Sequence, residues 1–113
     1  MSWQVFNSPN HWSELLAASE EQPQVLFKHS TRCSISSMVL NRFESSALFQ
    51  NNELPCWYLD LIAYRDLSNL IAQQTGVQHE SPQCIVLKNG RVHYAESHGS
   101  IDAKMILLTL QNL

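Results

Sequence analysis

Cys33 closes the stretch Val25-Leu26-Phe27-Lys28-His29-Ser30-Thr31-Arg32-Cys33 and stands where a helical pattern begins, at Ser34-Ile35-Ser36-Ser37-Met38. The first peptide N–H groups of a helix have no intrahelical partners. With the positive end of the macrodipole they favour a thiolate over a thiol. Arg32 adds a neighbouring positive charge, and Lys28 lies at the end of the preceding run. Cys33 is therefore a candidate reactive thiol; the competing reading is a half-buried structural cysteine. The spacing Cys33-Ser34-Ile35-Ser36 narrows the chemistry further. Where two cysteines are separated by two residues, the second attacks the mixed disulfide made by the first. Here Ser36 holds that second place, and a hydroxyl does not resolve a disulfide at neutral pH. A mixed disulfide on Cys33 then needs a thiol from elsewhere, either a small molecule or a distant cysteine.

The surrounding residues each carry a bland reading beside the chemical one. Arg32 and Lys28 are thiolate stabilisers or surface charges, Arg32 being favoured by adjacency. Ser34 and Ser36 either hydrogen-bond the thiolate or fill exposed first-turn positions. His29 shares a proton with Cys33 or is a solvated turn histidine. Glu80, if close, opposes a thiolate. Cys56 and Cys84 lie inside apolar runs, where a buried, inert thiol is the common outcome.

Composition excludes several classes. A net charge of −3 and no run of Lys or Arg leave no electrostatic case for nucleic acid. No apolar segment approaches the roughly 18–20 residues that span a bilayer, so no membrane partner is expected. The N-terminal Met1-Ser2-Trp3-Gln4-Val5-Phe6 lacks the layout of a secretory signal. Three widely spaced cysteines argue against a disulfide framework and fit a reducing cytoplasm. With no close Cys or His pair, no metal ligands are assigned. The 113 residues suffice for one domain with its own core, 1–113.

The elements that must position Cys33 follow from periodicity. Trp3–Phe6 reads as a short strand. Ser8 and Pro9 open a helix carrying Trp12, Leu15 and Leu16 at i, i+3, i+4. Gln24–Lys28 suits a buried strand. From Ser34 a helix is expected with Ile35, Met38, Val39 and Phe43 on its inner face. Cys56–Leu61 reads as a strand, followed by a helix with Leu67, Leu70 and Ile71 inward and Gly76 as its stop. Cys84–Lys88, Asn89-Gly90 and Arg91–Glu96 form a predicted hairpin. Ser100 is expected to cap a final helix with Ile101, Met105 and Leu108 on one side and Ile106, Leu107 and Leu110 widening that face. Helical crossovers imply parallel strands and the hairpin adds antiparallel ones, giving an α/β fold with a mixed central sheet and helices on both faces.

This order, with Cys33 at a strand–helix junction and Pro82 just before a later strand, resembles the thioredoxin-like superfamily. The closer resemblance is to the monothiol bacilliredoxin (YtxJ-like) family. Three segments carry it, in order: Phe27-Lys28-His29-Ser30-Thr31-Arg32-Cys33-Ser34-Ile35-Ser36, His79-Glu80-Ser81-Pro82-Gln83 and Ser97-His98-Gly99. One position departs, Ser34, where many relatives carry proline; the nucleophile is unaffected. Read by itself, Pro82 is equally a cis turn or an ordinary loop proline. The resemblance favours cis, and implies that Ser81 and Pro82 present a backbone edge to the substrate's extended chain. It further implies a thiol–disulfide oxidoreductase in which Cys33 takes bacillithiol from protein mixed disulfides. Its partners are then S-thiolated proteins and bacillithiol or another low-molecular-weight thiol as co-substrate. No tightly bound cofactor is expected, and the chain is expected to be a monomer or weak dimer.

Two other classes remain. A lone cysteine in this fold resembles the monothiol glutaredoxins, which share an iron–sulfur cluster across a dimer, although their Gly-containing motif is missing. A non-catalytic interaction module on the same fold would keep its partners after Cys33→Ser, whereas redox exchange would not.

Overall fold

The computed structural model describes residues 2–112. Its elements are β1 (Trp3–Val5), α1 (Pro9–Ser19), β2 (Gln24–His29), α2 (Ser34–Glu44), α3 (Ala47–Gln50), β3 (Cys56–Asp60), α4 (Arg65–Thr75), β4 (Gln83–Lys88), β5 (Arg91–Ser97), a 3-10 turn (His98–Ser100) and α5 (Ala103–Gln111). The five strands lie in the order β1-β3-β2-β4-β5. The β1–β3 and β3–β2 pairs are parallel; β2–β4 and β4–β5 are antiparallel. The expected mixed α/β sheet is thus what forms, with β2, the strand leading to Cys33, at its centre.

Strand alternation divides the core into two layers. Val25, Phe27, Cys56, Cys84 and Val86 face Val39, Phe43, Leu48 and Ile106 of α2, α3 and α5. Leu26, Trp57, Leu59, Ile85 and Leu87 face Trp12, Leu15, Leu67 and Ile71 of α1 and α4. All six residues of β2 are buried, which is what helices on both faces require of a central strand.

Local signals set most boundaries. The Ser8 hydroxyl accepts the Asn10 N–H and Pro9 starts α1. Gly76 ends α4 in the left-handed region at φ 74°. Asn89 and Gly90 have φ of 53° and 73°, the backbone a two-residue hairpin turn demands.

Three expectations are corrected. The inner stripe of α2 is Ser36, Val39 and Phe43, while Ile35 and Met38 are 54% and 65% exposed. Val39 and Phe43 face inward as expected, but in the first turn a serine with internal hydrogen-bond partners, Ser36, takes the inward position that apolarity assigned to Ile35. The last helix is capped by Asp102, whose carboxylate accepts the Lys104 N–H. Ser100 belongs to the 3-10 turn, and Ile101 drops into the core ahead of the helix, leaving Met105 and Leu108 about half exposed. Finally, α3 went unread: a four-residue helix has no periodicity to detect, although Ser46 caps it and Leu48 and Phe49 are buried.

Candidate functional site

Cys33 is the N-cap residue of α2, in extended backbone at φ −113°, and is partly exposed. Its side chain makes no capping hydrogen bond, so the first-turn N–H groups of α2 have no side-chain acceptor at the cap. Both backbone groups of Cys33 are held. Its N–H donates to the Ser30 carbonyl at 3.2 Å, and its carbonyl accepts the Ser37 N–H at 3.1 Å. Arg32 and Ser34 flank it and are exposed.

Ser36 is fully buried and does not fill an exposed first-turn position. Its hydroxyl accepts the Ser30 N–H at 3.1 Å and shares a 2.8 Å hydrogen bond with His29 Nδ1. His29 is likewise not a solvated turn residue. It closes β2, is 5% exposed, and its carbonyl accepts the Leu61 N–H. Burial pushes its imidazole below the ordinary histidine range, against the opposing charges of Asp60 and Glu44. The alternation Val25, Phe27, His29 was the available signal for its inward side.

Lys28 points to the opposite layer and is fully buried, so it is not a surface charge. Its ammonium donates to the Ser68 carbonyl at 3.2 Å, and the Ser68 hydroxyl pairs with His79 Nδ1 at 2.9 Å. Burial lowers the Lys28 pKa to about 8. The unfolded chain holds its lysine proton up to about 10.5. Charged Lys28 therefore costs folding energy below pH 8, and stability rises as pH climbs from about 8 towards 10.5. Lys28→Met is expected to gain about 1–3 kcal/mol at pH 7, and the gain should shrink across that window. Urea unfolding of both proteins at pH 7 and 10 checks this; a less stable variant at pH 7 would show that the Ser68 bond outweighs desolvation.

The Ser81–Pro82 peptide is cis. Lys28 pairs with Gln83 across β2–β4, so Pro82 lies at the end of the sheet where β2 releases the chain into the Cys33 turn. The Pro82 carbonyl accepts the His98 N–H at 2.9 Å, joining the second and third motif segments. Glu80 is engaged by Ser97 and lies 3.7 Å from His98 Nδ1. Ser81 Oγ and Gln83 Oε1 are buried with no hydrogen-bond partner among the described residues.

The fold therefore gathers Cys33, Arg32, Ser34 and Ser36 on one turn and sets Ser81 and Pro82 at the same end of the sheet. Cys56 and Cys84 stay inside β3 and β4, both buried. Burial raises the Cys56 thiol to about 12 and pushes Cys84 higher still. Two features escaped the sequence. One is the exposed apolar pair Ile35 and Met38 on the first turns of α2. The other is Arg42, whose guanidinium donates to the carbonyls of Gly99 (3.0 Å) and Ile101 (2.7 Å). A cleft of about 760 Å³ opens there, lined by Arg42, Ile101, Lys104 and Met105 among others, and Cys33 is not part of it. Among the described residues no group of His, Cys, Asp or Glu is arranged to hold a metal ion, and no helix is long and apolar enough to cross a membrane.

A family model described as monothiol bacilliredoxin BrxC matches residues 4–106. Among solved structures, one described as a candidate oxidoreductase with a thioredoxin fold is 29% identical. It superposes with a TM-score of 0.79 over 94% of this chain and 91% of that one. Thioredoxin from Malassezia sympodialis shares 18% identity and a TM-score of 0.68, covering 97% of this chain and 90% of that one. Thioredoxin from Trypanosoma brucei brucei shares 14% identity and a TM-score of 0.71, over 98% and 89%. The last two likenesses concern the thioredoxin fold alone.

Proposed function

The chain belongs to the monothiol bacilliredoxin family, and on that premise we propose that Cys33 removes bacillithiol from protein mixed disulfides. The observation that carries this reading is the placement of the three thiols. Cys33 alone is partly exposed, at an uncapped helix N-terminus, while Cys56 and Cys84 are buried in strands and a serine stands at the resolving position. The Cys33 thiolate attacks the bacillithiol sulfur of the mixed disulfide. That S–S bond breaks, a Cys33–bacillithiol disulfide forms, and the protein leaves as a thiolate that takes up a proton. A second bacillithiol thiolate then attacks the bacillithiol sulfur on Cys33. It leaves as bacillithiol disulfide and returns Cys33 as a thiolate.

The supporting roles follow from position. Arg32 and the α2 N-terminus flank the sulfur, Ser34 offers a first-turn hydroxyl, and the Ser81–Pro82 edge receives the extended backbone of the client protein. Exposed Ile35 and Met38 give the client an apolar surface beside the sulfur. The low-molecular-weight thiol is a co-substrate, and the cycle belongs in a reducing cytoplasm.

The test is a bacillithiol-modified protein incubated with the wild type and with Cys33→Ala, Cys56→Ala and Cys84→Ala. Mass spectrometry should find one bacillithiol adduct, on Cys33, in every protein except Cys33→Ala. Client release without any Cys33 adduct would overturn the reading.

A further inference from the structure

The position that a resolving cysteine would occupy is not vacant: it is the pivot of a closed set of hydrogen bonds. Ser36 Oγ accepts the Ser30 N–H, the Ser30 carbonyl accepts the Cys33 N–H, and the Cys33 carbonyl accepts the Ser37 N–H. The same hydroxyl is anchored to His29 Nδ1 at the end of β2, itself pinned by the Leu61 N–H on its carbonyl. A hydroxyl has one proton and two lone pairs, so it serves both partners at once. Both anchoring side chains are buried, Ser36 at 0% and His29 at 5% exposure, where water does not compete for these bonds. The turn Ser30–Cys33 is thus tied at its first residue to the helix and to the central strand.

From this geometry we infer that Ser36 and His29 are positioning residues, holding Cys33 at the N-cap position of α2. Ser36 then does more than abolish internal resolution. It puts in place of the second thiol a joint that fixes the first. The inference rests on Cys33 as the nucleophile. Neither residue touches the reacting atoms; both act through the backbone of Ser30 and Cys33. Alanine at 36 frees the Ser30 N–H and leaves the His29 ring without its partner. Leucine at 29 removes the anchor from the other side. Asparagine at 29 keeps a hydrogen-bonding atom near the place of Nδ1, so it separates loss of the joint from loss of the imidazole.

The experiment measures the rate at which Cys33 reacts with dithiobis(nitrobenzoate), alongside the melting temperature of each protein. This probe needs no bacillithiol. If the wild type takes no bacillithiol but the rates order as expected, the functional reading falls and the positioning role stands. A displaced nucleophile costs roughly tenfold to a hundredfold in rate, and that loss is expected for both Ser36→Ala and His29→Leu. His29→Asn should stay within about threefold of the wild type, well inside that loss. Ile106→Val, a core change in α5 outside this set of hydrogen bonds, should lower the melting temperature and leave the rate unchanged. Wild-type rates in folded Ser36→Ala and His29→Leu would overturn the inference. So would an Ile106→Val protein slowed as much as they are.

Discussion

Cys33→Ala is expected to lose at least about a thousandfold in thiol–disulfide exchange, since removing the attacking atom of a covalent cycle leaves no alternative path. Burial disfavours the thiolate at both remaining cysteines. With Cys56 raised to about 12, only about one part in a hundred thousand is thiolate at pH 7. Cys84 is raised further and is fully enclosed between β2 and β5. Stability should hardly change, because Cys33 is partly exposed and its backbone, not its sulfur, makes the hydrogen bonds that shape the turn. Stopped-flow exchange with a mixed disulfide, paired with thermal unfolding, separates the two effects. Exchange in Cys33→Ala above one part in a hundred of the wild-type rate would mean that Cys56 or Cys84 becomes exposed, which would refute the assignment of a single working thiol.

Phe27→Ala should be the most destabilising single change in the strand that carries the site. Phe27 is fully buried at the centre of β2, paired with Tyr58 on one side and Cys84 on the other. Its ring lies 5.4 Å from that of Phe43 in α2 and 5.9 Å, edge-on, from that of Trp3 in β1. Truncation removes this packing and leaves a cavity between strand and helix that the backbone of a central strand cannot collapse to fill. The expected loss is about 3–5 kcal/mol, a large share of the roughly 5–15 kcal/mol that holds a domain together. In urea the midpoint should fall with the slope unchanged. A loss below about 1 kcal/mol would indicate that α2 reseats over β2, and the packing described here would be wrong. Because β2 ends at His29, the variant also tests whether the Cys33 turn survives a loosened strand.

What was legible in the residues is the chemistry that depends on near neighbours. Cys33 at a helix start, with Ser36 in the resolving place, points to a thiol whose mixed disulfide needs a thiol from elsewhere, a small molecule or a distant cysteine. The order of the strands and the longer helices was legible from periodicity, and the Ser8-Pro9 start, the Gly76 stop and the Asn89-Gly90 turn from φ, ψ and capping preferences within a few residues. Pro82 was ambiguous until the family segments around it were considered, and its cis peptide is a feature of the folded chain.

Tertiary structure decided which side of each element faces inward and what the polar groups there do. Apolarity placed Ile35 and Met38 in the core, and the folded chain exposes both; Lys28 and His29, each open to a solvated reading, are buried. A strand or helix pattern gives a period, but its phase is set by whatever packs against it, and a polar side chain can take an inner position when it finds partners. Those partners lie seven residues apart for His29 and Ser36, and forty for Lys28 and Ser68. The sequence alone shows one cysteine at a helix start with a serine in the resolving place. How that thiol is held depends on His29 and Ser36 facing inward together, which the packing of α2 against β2 decides and apolarity does not reveal.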